Sequence, residues 1–227
     1  MGFDVKITTK NHLFDLLCPH SCVICGKLGD YLCDCCKKDI LFNHENYCPK
    51  CKHLTGECKC SVKFLMPPIF TIGWRDEIIG KIAQDYKYNS VKAAGAVLAD
   101  ILSETLPFFS EKITVVPLPT IDKHIRERGF DHTLYLAKQL AKRRDWEIEQ
   151  VLGRAKDTVQ VGANEQARIT QAYAAYCLKY PINKNKTYLL LDDIWTTGMS
   201  MKAATKMLQR AGASKIAISV LAVSRKH

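Results

Sequence analysis

Residues 188–204 decide the fold class of this chain, and they read Y-L-L-L-D-D-I-W-T-T-G-M-S-M-K-A-A. An apolar run ends in two adjacent acids, a loop of small hydroxyl-bearing residues follows, and a helical pattern then begins. A strand that turns into a helix in this way places its last polar residues at the carboxyl edge of a parallel sheet, where α/β proteins bind ligands. The stretch therefore predicts a ligand site at a strand–loop–helix junction.

The chemistry of this junction suits a sugar that carries a 5-phosphate. The loop offers hydroxyl groups, backbone N–H groups that a glycine leaves accessible, and the favourable end of a helix dipole. Two adjacent carboxylates, Asp192 and Asp193, can accept hydrogen bonds from vicinal ribose hydroxyls or help to hold a hydrated metal ion. The predicted loop residues are Thr196, Thr197, Gly198, Met199 and Ser200. The alternative is a junction whose Ser and Thr side chains only cap the helix.

The surrounding pattern is typical of an α/β protein. Helices are predicted over two parts of 78–106, over Asp131–Asp145 and over Ser200–Ala211, and strands over Ile113–Pro117, Tyr188–Leu191 and Ile216–Val223. Strands that alternate with helices favour a mostly parallel sheet flanked by helices.

The junction resembles the phosphoribosyl pyrophosphate (PRPP) signature of type I phosphoribosyltransferases, with Met199 where a small residue is usual. About residues 16–225 resemble the ComF family of competence-associated, phosphoribosyltransferase-like proteins. The V-P-x-P turn of that family is matched by Val116–Pro119, and its R-x-R-G-F segment by Arg126–Phe130. The chain departs from the family at Asp131 and His132, where Asn-Gln is usual. Looser matches are Thr158, Gln160 and Arg168, with Gln171 in place of Asn.

The resemblance implies a type I phosphoribosyltransferase fold and roles for particular residues. Pro117 and Leu118 would lie in the loop that faces pyrophosphate, together with Mg²⁺. Arg126 and Arg128 would lie nearby as candidate catalytic residues, and guanidinium groups of this kind suit a polyanion. Lys87 matches a basic position of the family. The alternative for the two arginines is a solvated pair on the surface, and the alternative for Lys87 is a lysine on a helix surface without a role in the site.

The cysteines predict a metal-binding segment at the front of the chain. Ten of the 11 cysteines lie between Cys18 and Cys60. No export signal is readable, so metal binding in a reducing compartment is favoured over disulfides. Three C-x2-C pairs and one C-x-C pair provide the ligands for structural Zn²⁺. The predicted ligands are Cys22, Cys25, Cys33, Cys36, Cys48, Cys51, Cys58 and Cys60.

The spacing leaves the assignment of these pairs open. One grouping is sequential (22/25/33/36 and 48/51/58/60), another is interleaved (22/25/48/51 and 33/36/58/60), and a third possibility is one zinc with spare thiols. Four thiolates fill the coordination shell of a zinc ion, so the zinc sites are predicted to be structural under either grouping. The proline pair after Met66 predicts a boundary between a double zinc-finger-like module, residues 1–66, and a phosphoribosyltransferase-like domain, residues 67–227.

Composition and resemblance together define the functional hypotheses. The 227 residues are 47% hydrophobic, carry a formal charge of +10 and contain no run of about 18 uncharged apolar residues, so we expect a cytoplasmic protein without membrane insertion. The resemblance implies handling of incoming single-stranded DNA during natural transformation. The basic residues predicted to bind it are Arg126, Arg128, Lys142, Arg143 and Arg144. The alternatives are an active phosphoribosyltransferase with an unidentified base or nucleotide as acceptor, and a structural adaptor for a DNA-uptake helicase.

Overall fold

The computed structural model describes residues 20–46, 48, 51, 53–54, 57–59, 67–75, 77–88, 91–155 and 175–224. The predictions for Cys60 and for the matches at Thr158, Gln160, Arg168 and Gln171 lie outside the described residues.

The strands in this part of the chain are β1 (His20–Ser21), β2 (Leu28–Gly29), β3 (Ile69–Thr71), β4 (Ile113–Pro117), β5 (Glu147–Ile148), β6 (Leu152–Arg154), β7 (Tyr176–Leu178), β8 (Thr187–Trp195) and β9 (Lys215–Val223). The helices are α1 (Asp34–Phe42), α2 (Ile78–Tyr88), α3 (Lys92–Thr105), α4 (Asp122–Arg128), α5 (His132–Arg144) and α6 (Met199–Arg210).

A five-stranded sheet forms the centre of the fold, in the order β3-β9-β8-β4-β5, and every neighbouring pair is parallel. β8 lies in the middle, where Leu189 pairs with Val115 on one side and Ala217 on the other. Parallel strands buried on both faces are nearly continuous apolar runs, and β4, β8 and β9 have that character. The predicted parallel α/β sheet is confirmed.

Two hydrophobic clusters cover the two faces of this sheet. Alternate residues of a strand point to opposite faces, so Leu189 and Leu191 join the cluster with α2, α3 and α5. Tyr188 and Leu190 join the other cluster, with α6 and the β6–β7 hairpin. The two helices predicted within 78–106 are α2 and α3, and the helix predicted at Asp131–Asp145 is α5. The fold is thus a three-layer arrangement with ligand-facing loops at the carboxyl ends of β4 and β8.

The cysteine-rich segment packs against this domain. Cys22, Leu32 and Cys33 belong to the same buried cluster as α2 and α3. The Tyr31 hydroxyl donates a hydrogen bond to Asp85 Oδ2 at 2.6 Å. Lys37 of α1 pairs with Asp100 and with Glu104 of α3. Apolar contacts and ion pairs therefore join the segment to α2 and α3.

None of the described helices is both long and apolar enough to cross a membrane.

Candidate functional site

A cavity of about 520 Å³ opens at the carboxyl ends of β4 and β8. The end of α2, the loop after β4, helix α4, the start of α5, the β6–β7 hairpin and the start of α6 supply its walls. The predicted site residues that line it are Lys87, Leu118, Arg128, Asp192, Asp193 and Ser200. The topology has therefore gathered residues up to 113 positions apart, from Lys87 to Ser200, around one space.

The other predicted site residues lie near the cavity but do not line it. They are Arg126, Pro117, Thr196, Thr197, Gly198 and Met199. Arg126 is exposed on α4, and Thr196 and Thr197 are exposed in the loop that leads into α6. The backbone N–H of Leu118 donates to the carbonyl of Leu191 at 2.9 Å, so this amide extends the pairing of β4 and β8 and is engaged within the sheet.

The loop before α6 has the shape that its sequence predicts. Gly198 adopts the left-handed conformation, with φ at 70°, directly before the first helical residue. A Cβ at this position would lie 2.1 Å from the indole ring of Trp195, so the loop requires glycine there. The Thr197 hydroxyl accepts a hydrogen bond from the N–H of Met199 at 3.4 Å. The loop thus turns tightly into the N-terminus of α6, with Ser200 on the cavity wall.

Asp193 is a buried anion, and both of its carboxylate oxygens have partners within the protein. Its Oδ2 lies 2.5 Å from Lys87 Nζ and 3.1 Å from His132 Nε2, and its Oδ1 accepts the N–H of Ile194 at 2.8 Å. Burial opposes the charge, but the bond from His132 and the charge of Lys87 outweigh it and hold the pKa of Asp193 below its ordinary value.

Asp192 has the opposite electrostatic environment. Its Oδ1 accepts the backbone N–H of Asp193 at 2.9 Å, and the residue lines the cavity. Burial and the neighbouring charge of Asp193 raise the pKa of Asp192 to about 8. The two adjacent acids therefore differ: Asp193 is held by Lys87 and His132, whereas Asp192 faces the cavity and can gain a hydrogen bond or ion pair from a ligand hydroxyl or cation.

Comparison with known proteins identifies a domain family. The model of the phosphoribosyl transferase domain family matches residues 131–227, which include β8, the acid pair and α6. Competence protein ComFC of Streptococcus pneumoniae is 25% identical over 190 residues, which cover 84% of this chain and 80% of that protein. The chain thus carries a phosphoribosyl transferase domain and is similar to ComFC over most of its length. Its fold is the predicted one, an α/β type I phosphoribosyltransferase fold with a cysteine-rich N-terminal segment.

Further similarities cover smaller parts of the chain. Ribose-phosphate pyrophosphokinase of Thermococcus kodakarensis is 31% identical over 120 residues, 51% of this chain and 40% of the enzyme. Glutamine PRPP amidotransferase from B. subtilis, solved with ADP and GMP, has a TM-score of 0.43 and 17% identity over 61% of this chain and 30% of its own. Adenine phosphoribosyl transferase from Trypanosoma brucei has a TM-score of 0.42 and 10% identity over 70% of this chain and 85% of its own.

Ten residues that line the cavity were not predicted as site residues, and three of them have contacts that bear on its chemistry. His132 is buried at the first position of α5 and contacts Asp193. Arg154 and Tyr176 lie on the hairpin wall, where the Arg154 guanidinium stacks 5.3 Å from the centre of the Tyr176 ring. The departure of His132 from the family pattern was a usable signal. Nothing local marked Arg154 and Tyr176, because 21 residues of sequence separate the two paired positions.

The basic cluster at the end of α5 consists of Lys142, Arg143 and Arg144, and two of these residues bond to other parts of the fold. Arg143 donates to Asp100 at 3.1 Å and to the carbonyls of Gln139 and Ala96. Arg144 donates to the carbonyls of Ser103 and Pro107 and stacks 4.7 Å from the Trp146 ring. Lys142 is exposed. The predicted DNA contacts of Arg143 and Arg144 therefore compete with bonds that hold α5 against α3 and the segment that follows it.

The cysteines gather in the sequential grouping. The thiols of Cys22, Cys25, Cys33 and Cys36 lie within 4.8 Å of one another, and so do those of Cys48, Cys51 and Cys58. Sulfur–sulfur distances of 3.7 Å (Cys25–Cys33) and 3.6 Å (Cys51–Cys58) fit the edges of a tetrahedron with Zn–S bonds of about 2.3 Å. Both groups could hold zinc. The interleaved grouping is wrong, because sequence neighbours fold back onto each other in short turns.

Two thiols of the first cysteine group differ in acidity. Burial opposes ionisation of Cys22, but hydrogen bonds from the backbone N–H groups of Cys25, Cys33 and Ile24 outweigh it and lower its pKa to about 6. Hydrogen bonding to Cys33 raises the pKa of Cys36. Thiolates are the form of cysteine that binds zinc, and Cys22 is the member of the group that favours this form.

Proposed function

We propose that this protein binds PRPP in the cavity at the end of β8 and acts as a competence protein, handling incoming single-stranded DNA in the cytoplasm during natural transformation. The observation that supports the PRPP site best is the meeting of Asp192, Ser200 and the cations Lys87 and Arg128 around one cavity. A sugar phosphate with a diphosphate tail needs these three kinds of group: acceptors for its hydroxyls, donors for its phosphate and cations for its tail.

Each part of the cavity has a task in this proposal. The loop Thr196–Ser200 and the N-terminus of α6 bind the 5-phosphate, and Asp192 accepts hydrogen bonds from the ribose hydroxyls. Arg128, with the loop that begins at Pro117, faces the pyrophosphate. Mg²⁺ would enter with PRPP beside Asp192, where it neutralises phosphate charge.

Calorimetric titration of PRPP with Mg²⁺ tests the site. Asp192→Ala and Ser200→Ala each remove one contact to the ligand. A hydrogen bond to a charged group contributes about 1.5–3 kcal/mol, so each variant should bind about 10- to 100-fold more weakly. The matched controls are Asp145→Ala and Ser214→Ala, two exposed positions outside the cavity. Unchanged affinity in both cavity variants would remove the assignment.

A second candidate function is catalysis. In this reaction the bond from ribose C1 to pyrophosphate breaks, a bond from C1 to an acceptor base or nucleotide forms, and pyrophosphate leaves. The hairpin wall with Arg154 and Tyr176 favours it, because an aromatic ring and a stacked guanidinium form a surface for a planar acceptor. Arg126, Arg128 and Lys87 remain the candidate catalytic residues. Release of pyrophosphate with a panel of bases would establish turnover, and its absence with every base would leave PRPP as a bound ligand.

The DNA-binding part of the proposal rests on the formal charge of +10 and on the competence role that the name of the relative ComFC states for that protein. Arg126 and Lys142 are exposed and available for phosphates, whereas Arg143 and Arg144 have partners inside the fold. Each phosphate contact to a single strand contributes about −0.7 to the slope of log K against log salt. In fluorescence anisotropy, Arg126→Glu and Lys142→Glu should each reduce the slope by about that amount. A wild-type affinity that does not depend on salt would exclude electrostatic DNA binding.

If neither PRPP nor an oligonucleotide binds, the remaining hypothesis is a structural adaptor that docks on a DNA-uptake helicase. We propose structural zinc in either case, with two ions per chain and Cys60 as the fourth ligand of the second group.

A further inference from the structure

His132 connects two groups of the cavity that the proposed function uses separately. Its side chain is 5% exposed, and it lies between the Arg128 guanidinium and the Asp193 carboxylate. Arg128 Nη1 lies 2.9 Å from His132 Nδ1, and His132 Nε2 lies 3.1 Å from Asp193 Oδ2. Arg128 and Asp193 both line the cavity.

The chemistry of these contacts fixes the proton on the imidazole. A guanidinium has hydrogen-bond donors and no acceptor, so Nδ1 must present its lone pair to Arg128. The imidazole is then neutral with its proton on Nε2, and this N–H donates to Asp193. The direction of the chain is therefore Arg128 to His132 to Asp193, and Lys87 completes the contacts of the same carboxylate oxygen.

We propose that His132 is a positioning residue of the PRPP site, which holds the Arg128 guanidinium and the Asp193 carboxylate in one fixed relation. The inference rests on the proposed PRPP-binding function. Arg128 ends α4, and a left-handed Gly129 with φ at 76° separates it from α5. One N–H of Arg128 is held by His132, the guanidinium lies 5.8 Å from the centre of the Tyr88 ring, and the residue lines the cavity. His132 thus sets the cation at one end of the ligand and the acid pair at the other.

Protonation of His132 breaks this connection. An imidazolium has no lone pair on Nδ1, so its N–H would point at the Arg128 guanidinium. The charged and titratable groups in contact with His132 are Asp193 from β8, Tyr86 from α2 and Arg128 from α4. A further cation beside Arg128 would release the arginine from its place.

Two substitutions separate positioning from mere packing. His132→Gln keeps one donor and one acceptor at the end of the side chain and cannot be protonated. His132→Leu keeps apolar volume and loses both hydrogen bonds. In titrations of PRPP with Mg²⁺ at pH 8, we expect the Gln variant to stay within about threefold of the wild type and the Leu variant to bind at least about tenfold more weakly. Equal affinities of the Gln and Leu variants for PRPP would overturn the proposal, because a residue that only fills space needs no hydrogen bonds.

A measurement without PRPP tests the same chain of bonds. Nitrogen-15 NMR of the labelled full-length protein should show His132 as the Nε2–H tautomer at pH 8. An Nδ1–H tautomer in the wild type would overturn the inference whatever the ligand does. If the wild type does not bind PRPP, the proposed function fails on its own and the NMR result alone decides the role of His132.

Discussion

The cysteine-rich segment and the sheet domain are held together by different means. In the sheet domain, β8 and β9 are buried along most of their length, and two hydrophobic clusters cover the sheet. In the cysteine-rich segment, α1 buries none of its nine residues. Two of its buried apolar side chains, Cys22 and Cys33, belong to the first thiol group. The sheet domain is thus stabilised by packing, and the segment depends on what its thiols bind.

The difference matters because the two regions share a surface. Leu32, Cys22 and Cys33 pack into the cluster of α2 and α3, and Lys37 pairs with two acids of α3. With zinc bound as proposed, its loss should therefore loosen the segment and uncover the α2–α3 face, while the sheet remains. The zinc proposal thus makes the segment a metal-dependent cover of one side of the domain. Four changes, in order of expected effect, sharpen or break this contrast.

The largest effect is expected from Cys33→Ser. Binding of structural zinc contributes on the order of 10 kcal/mol to the folding of small modules, so loss of one ligand should release the ion and unfold the segment. Elemental analysis should fall from about two zinc ions per chain to about one, following the four-thiolate rule. The matched control is Cys35→Ser, an exposed thiol outside both groups. Zinc loss in the control alone would show that the grouping is wrong, and a wild type without zinc would remove the metal from the account.

Next in size is Gly198→Ala in the sheet domain. The new Cβ would lie 2.1 Å from the Trp195 ring and would also occupy the left-handed region, with φ at 70°. Backbone strain and overpacking together should cost about 3 kcal/mol of stability in urea unfolding. Gly129→Ala is the control, because its φ of 76° is similar and no atom lies within 4 Å of the added Cβ. Equal losses in the two variants would mean that the backbone, and not the packing, decides.

Arg144→Ala should cost about 2 kcal/mol, because two hydrogen bonds to carbonyls and the stacking on Trp146 are lost. Lys142→Ala, two positions earlier and exposed, should stay within about 0.5 kcal/mol of the wild type. Thermal unfolding compares the two variants. If both are neutral, the contacts of Arg144 contribute nothing and the residue is available for DNA after all.

Arg144 and Arg154 show which features of the fold cannot be predicted from the sequence. The pattern K-R-R at the end of a helix indicates only positive charge, and the acceptors of Arg144 lie at Ser103 and Pro107, about forty residues earlier. Arg154 and Tyr176 are likewise brought to the cavity by a hairpin whose strands are far apart in the chain. Long-range placement of this kind carries no local signal.

Local patterns, in contrast, predicted much of the fold. β8 was predicted because a buried parallel strand is an apolar run, and the turn at Gly198 because few residues other than glycine fit there. The cysteine pairs were predicted because zinc geometry fixes their spacing, although the sequential grouping needed the structure. The unequal state of Asp192 and Asp193 was invisible in the sequence, since it depends on Lys87 and His132 from other elements.

The smallest of the expected effects comes from Asp192→Asn, and it concerns the sign of the pH dependence. The pKa of Asp192 is raised in the folded protein to about 8, first by burial and then by the charge of Asp193. The folded state therefore holds a proton that the unfolded chain has already released above about pH 4. Between these two pKa values the free energy of unfolding falls as pH rises, because the unfolded state binds fewer protons than the native state.

The Asp192→Asn variant tests this sign. Asparagine cannot lose a proton, so the variant lacks this fall in stability. We expect the wild type to lose about 1 kcal/mol more than Asp192→Asn between pH 7 and pH 8 in urea unfolding. Asp145→Asn, at an exposed helix end, is the control and should follow the wild type. The cysteine groups respond in the opposite direction, because acid protonates thiolates and releases zinc. Parallel pH profiles for the wild type and Asp192→Asn would show that this carboxyl is ionised throughout and that packing alone governs the end of β8.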